Sequence, residues 1–233
     1  MENKTAIGWV FLDDHLTFKR PGIGKLSEGC VQRAEPGNKD IPESDLFNWF
    51  YVPERTLTAL DDGLGNLAVK IKISGDLHSV KGFYKGRVIE CLHIIDATDI
   101  LHRFTMWCAE HALKHAIDPD PKVAALLQRK KEWLATEKTD TKKLMSMGMS
   151  LRSDIVKNIC YPTNAELVKK GLSKDRPYAQ VIFNAVVMDN PVFFPIRAYW
   201  AARRAFEYDP MLKEPNDKMN SMLEEALKEE IGQ

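Results

Sequence analysis

Val69, Ile71 and Ile73 alternate with Lys70, Lys72 and Ser74, a period of two that places one face of a strand on a core and the other in water. Two further strands are expected. Ile7 to Leu12 and Arg87 to Ile95 carry the β-branched and aromatic content, and Pro21-Gly22, Pro36-Gly37, Asp62-Gly63 and Ser74-Gly75 punctuate the chain between them. Val88, Ile89, Cys91, Leu92, Ile94 and Ile95 put apolar groups on both faces of the last strand, as expected of a central strand pairing with residues 68–74. The segment Asp76 to Gly86, with Lys81, Gly82, Lys85 and Gly86, reads as a mobile connection between the two.

From Asp96 onward the period lengthens to 3.6. Leu101, Phe104, Cys108, His111 and His115 recur at spacings of three and four, with Ile100 and Trp107 widening the stripe, and predict an amphipathic helix. After Asp118-Pro119-Asp120-Pro121 a second helix is expected from Lys122 through Leu134, and a third on Leu144, Met147, Leu151, Ile155 and Ile159. Thr163 and Glu166 form a capping box for a short helix ending near Gly171. Pro177 to Met188 is read as helix, Ile196, Tyr199, Trp200, Arg203 and Phe206 form another stripe, and a last helix begins near Asn216. The expected fold is α+β, a small antiparallel β-rich N-terminal part followed by a helical C-terminal part. Residues 1–96 and 97–233 are read as the two domains, or as one continuous fold.

The 233 residues carry 33 Lys and Arg against 33 Asp and Glu, so no global field steers the chain toward nucleic acid or an anionic membrane. A local basic run, Arg129, Lys130 and Lys131, followed by Lys142 and Lys143, reads as a solvated helix face. No apolar run reaches the ~18–20 residues that span a bilayer, and the N-terminal segment lacks the form of a signal peptide, so a cytoplasmic protein is expected. Cys30, Cys91, Cys108 and Cys160 are scattered without a CxxC pair, which reads as reduced, mostly buried thiols.

Candidate chemistry is sparse. Cys108, His111 and His115 lie one helical turn apart and form the candidate metal set, and His93, His111 and His115 are the candidate catalytic residues. A zincin would need Glu after the first His or before the second, where Ala112 and Lys114 stand. The competing reading is a packed helix with a buried thiol. Asp96 and Asp99 suit the N-terminus of that helix as caps, and simple alternation sets His93 on the face opposite Glu90 and Asp96. Pro21-Gly22-Ile23-Gly24-Lys25 lacks P-loop spacing and reads as a turn, and no cofactor is expected. The methionines of the second half read as core at helical spacing.

Pro53 to Leu60, Ile73-Ser74-Gly75, Asp96-Ala97-Thr98, Trp107-Cys108-Ala109 and Lys131-Glu132-Trp133-Leu134 follow one another in an order and spacing that resembles a family of uncharacterised phage, prophage and bacterial proteins. Asn48-Trp49-Phe50-Tyr51 departs from the family's Gly-Leu-His-Ala-type segment. The resemblance implies a viral or prophage origin and an accessory role, with no transferable catalytic residues. Together with the missing catalytic constellation and the neutral charge it leads to the expectation of a phage-type accessory protein that binds a host or viral protein in the bacterial cytoplasm. Two alternatives stand beside it: a nucleotide- or NAD-processing enzyme, and a minor virion or assembly protein that self-associates.

Overall fold

Alternating apolar positions build the framework of the first half. The computed structural model describes residues 4–16, 25–34, 49–115, 121–136, 185, 194–206 and 215–232. Four strands, β1 (Thr5–Leu12), β2 (Val31–Arg33), β4 (Leu67–Ser74) and β7 (Val88–Asp96), form an antiparallel sheet in the order β1-β4-β7-β2. A second antiparallel sheet orders β3 (Phe50–Pro53), β5 (His78–Val80) and β6 (Phe83–Gly86) as β3-β6-β5. The three expected strands are therefore β1, β4 and β7, and β4 pairs with β7 as the sequence suggests.

The two sheets share one core. Val10, Leu12, Val69, Ile71, Ile73, Ile89 and Cys91 point from the four-stranded sheet toward Phe50 and Val52 of β3, with Leu26 closing the cluster. Close approach depends on absent side chains. A Cβ at Gly86 would stand 2.7 Å from both Ile73 Cγ1 and Ser74 O, and one at Gly8 would stand 2.7 Å from Pro53 O.

Residues 76–86 are structured, not a mobile connection. β5 and β6 form a hairpin whose Val80↔Phe83 pair leaves a two-residue loop, Lys81-Gly82, with φ of 51° and 82°. Two successive positive φ values are what a type I′ turn needs to match the twist of the strands.

A β-bulge corrects the expected facing of His93. The register runs Lys70↔His93 and then Ile71↔Cys91, so Leu92 is the extra residue. Beyond it the parity of β7 reverses. His93 therefore shares a face with Lys70, Lys72 and Glu90, while Ile94 takes its place on the core side opposite Val69.

One short helix lies between β3 and β4, and the other described helices follow the strands. The described ones are α1 (Thr56–Asp61), α2 (Thr98–His115), α3 (Pro121–Thr136), α4 (Phe194–Phe206) and α5 (Pro215–Gly232). The chain is α+β, with antiparallel sheets followed by helices. Asp96 opens α2 as its carboxylate accepts from the Thr98 amide at 2.9 Å, the Thr98 hydroxyl at 2.6 Å and Asn66 Nδ2 at 3.0 Å. Partial burial acts to raise the Asp96 pKa, but these hydrogen bonds outweigh it and hold the carboxyl below its usual range. The helices expected over 144–159, 163–171 and 177–188 lie outside the described residues, Ala185 excepted, as does most of the Pro21 to Lys25 turn.

By internal contacts the chain divides into two units. One comprises Met1–Thr98, Pro191–Ile196 and Met219–Gln233, and the other Asp99–Asn190 and Arg197–Lys218. The C-terminal part of α5 thus belongs with the sheets. Among the described residues, no helix is long and apolar enough to cross a membrane.

Candidate functional site

The richest surface is built on the second sheet from three short strands. Register places Tyr51 opposite Lys85 and Lys85 opposite His78, so these three share one face of β3-β6-β5. Val52 and Phe50 point the other way into the core. The outer face therefore takes alternate residues of each strand, as the pleat requires.

Trp49, immediately before β3, organises this face. Lys85 Nζ lies 4.4 Å from the Trp49 ring centroid, Arg87 Cζ lies 4.6 Å from it, and the His78 ring meets its edge at 6.0 Å. Lys85 also reaches Tyr51, at 5.8 Å. Cations over aromatic faces are attracted by the ring quadrupole, and each such contact contributes about 0.5–1 kcal/mol where solvent still reaches. Asp76 steadies the rim through an ion pair of 3.0 Å to Arg87 Nε. Glu54 accepts a hydrogen bond from Ser79.

Alongside these residues the face is apolar. Val80 is 40% exposed at the edge strand β5, all three residues of β5 are exposed, and Phe83 stands opposite Val80. Among the described residues β5 has a neighbour on one side only, β6, so its other backbone edge is open. The outcome is a patch of aromatic rings, cations and one open strand edge.

The residues singled out from the sequence sit elsewhere. His93 is half-buried on β7, in the first unit. Cys108 and His111 lie in the second unit on α2, which is buried on most of its circumference; Asp99, Arg103, Glu110 and Lys114 form its narrow exposed stripe. Cys108 is fully enclosed, and burial drives its thiol far above the ordinary range. His111 stacks on Trp107 at 5.5 Å with an interplanar angle of 13°. The side chain of His115 lies outside the described residues.

Among the described residues, the one trio of metal-ligand type with its atoms within 4.8 Å of one another is Asp13, Asp14 and His15. It is a turn, with the His15 amide bonded to Asp13 Oδ1 at 3.1 Å. The basic run of α3 is not uniformly solvated. Lys130 is buried, one turn from buried Leu127, while Lys131 pairs with Glu110 of α2 at 2.7 Å. A cleft of about 420 Å³ is lined by that pair together with Leu113, Ala124, Leu127 and Gln128.

No protein-family model, curated protein or solved structure matches the chain.

Sequence reading missed the Trp49 face because its members are spread over residues 49–87 and meet only through strand pairing. A signal was present. Trp49-Phe50-Tyr51 is an aromatic run, and Val80-Lys81-Gly82-Phe83 has two apolar residues flanking a two-residue turn.

Proposed function

We propose that this chain is a phage-type accessory protein that works by binding a partner protein, and that it does so through the outer face of β3-β6-β5. The observation that carries the reading is the convergence of Trp49, Tyr51, His78, Lys85 and Arg87 on one face beside an open strand edge. Trp, Tyr and Arg are the residue types that dominate binding energy at protein interfaces. Lys85 and Lys81 favour an acidic partner, and the exposed β5 edge suits an extended segment that adds a strand while its side chains meet Val80 and Phe83. The family resemblance supports the accessory role, and the target in this reading is a host or viral protein in the bacterial cytoplasm.

Affinity capture from bacterial lysate, repeated with Trp49→Ala and Lys85→Glu, tests this. Trp49→Ala should cost about 2 kcal/mol of binding, roughly a thirtyfold loss of affinity, and Lys85→Glu should release the partner with little change in thermal unfolding. Retention of the same partner by both variants would sink the proposal. So would tight, salt-sensitive binding of single-stranded oligonucleotide to these residues with no protein captured.

A further inference from the structure

Two cysteines separated by 61 positions in sequence are direct neighbours across the first sheet. β2 pairs with β7 through Val31↔Glu90, Gln32↔Ile89 and Arg33↔Val88, and one step beyond Val31↔Glu90 stand Cys30 and Cys91. The backbone joins them there. The Cys91 amide donates to Cys30 O at 3.0 Å, and the Gly29 amide donates to Cys91 O at 2.8 Å. Cys30 and Gln32 alternate with Val31 along one strand, as Cys91 and Ile89 do with Glu90 along the other, so both thiols project to the same, core-facing side.

Their surroundings differ in a useful way. Cys91 is fully buried, whereas Cys30 is half-buried, and both are free thiols. The Ser27 amide donates to Cys30 Sγ at 3.3 Å, fixing that sulfur at the rim of the core. Burial first, then the neighbouring Cys30 and Glu28 and a hydrogen bond to Cys30, push the Cys91 thiol up to about 11, so it stays protonated against its neighbour. Opposed residues of antiparallel strands have Cα atoms about 4.5–5.5 Å apart. Disulfides span about 4.4–6.8 Å between Cα atoms.

We propose that Cys30 and Cys91 are a dithiol site that closes to a disulfide on reaction with a small aliphatic disulfide such as oxidised glutathione. Cys30, the solvent-reaching member, attacks as its thiolate and breaks the glutathione S–S bond. This forms a Cys30–glutathione mixed disulfide and releases one glutathione thiolate. Cys91 then gives up its proton to water, its thiolate attacks Cys30 Sγ, the Cys30–glutathione S–S bond breaks, and the second glutathione leaves as a thiolate that takes up a proton. The two protein thiols are oxidised by two electrons and one oxidised glutathione is reduced to two thiols, so the exchange balances. The bond ties the short strand β2, held to its neighbour by three register pairs, to the central strand β7.

The test uses the full chain incubated natively with oxidised glutathione, quenched by alkylation, and digested without reduction for mass spectrometry. The expected product is a Cys30–Cys91 linked peptide pair lacking two hydrogens, with buried Cys108 unlinked and the oxidised protein melting several degrees higher than the reduced one. Cys91→Ser should stop the reaction at the Cys30–glutathione adduct, and Cys30→Ser should give neither adduct nor link. Wild-type protein that accumulates the Cys30 adduct without the link, pairs either cysteine with Cys108 or Cys160, or stays fully reduced would overturn the proposal. The wild-type measurement decides the matter even where a serine variant fails to fold.

Discussion

His102 shows how one buried side chain ties stability to pH. It is 2% exposed on α2, near the equally buried Lys130 of α3. Burial, and after it the positive charge of Lys130, depress its pKa from the usual 6.5 to about 3. Within that window the unfolded chain binds a proton that the folded chain refuses. Stability is therefore fully present above about pH 6.5 and falls as the pH drops toward 3, by up to about 1.4 kcal/mol per pH unit. Urea unfolding followed by Trp fluorescence should show this slope between about pH 6.5 and pH 4. His102→Leu should flatten it, whatever the variant does to stability at neutral pH. An unchanged slope in His102→Leu would place the titrating group elsewhere.

The β5–β6 hairpin and the β4–β7 pair show which elements could be read from sequence and which could not. Val69, Ile71 and Ile73 alternate cleanly because β4 lies between two partners with its other face presenting lysines, so period alone identified it. The helix α2 declared itself by its stripe of three and four, and α3 by the Asp118 to Pro121 break before it. By contrast β2, β3, β5 and β6 have three or four residues each, too few for a period to register, and their identity comes from pairing. The bulge at Leu92 is likewise invisible to alternation, which set His93 opposite Asp96, as the register does, but also opposite Glu90, whose face it shares. The candidate surface inherits this, since Trp49, His78 and Lys85 become neighbours only once β3, β6 and β5 are aligned. The packing of β6 also yields a test. Gly86→Ala places a methyl against Ser74 O and Ile73, which a backbone carbonyl cannot evade cheaply, so a loss of about 1–3 kcal/mol is expected from overpacking. Thermal denaturation that leaves Gly86→Ala as stable as wild type would mean that the sheets can separate there without cost.

The C-terminal helix closes the first unit onto itself across most of the chain. α1 begins at Thr56 without a side-chain cap of its own, and Asn220 of α5 supplies one as its Oδ1 accepts from the Leu57 amide at 3.1 Å. Glu224, one turn on, accepts from the Thr56 hydroxyl at 3.1 Å and from Asn220 Nδ2 at 3.1 Å, and Lys228 steadies it at 3.3 Å. Leu223 and Leu227, on the same side of α5, are 1% and 0% exposed. Capping and burial therefore act together to make residues 219–233 part of the sheet unit, not an appendage of it. Asn220→Ala should cost about 1–2 kcal/mol, since it leaves the Leu57 amide without its acceptor, and Leu227→Ala about 2–5 kcal/mol. Native-state hydrogen exchange separates integral from peripheral packing. If α5 is integral, Leu227→Ala accelerates exchange of β1 and β4 amides along with those of α5, because all open in one cooperative step. If the helix merely rides on the surface, its own amides lose protection while Val69 and Ile71 keep theirs, and the sheets would then be stable without it.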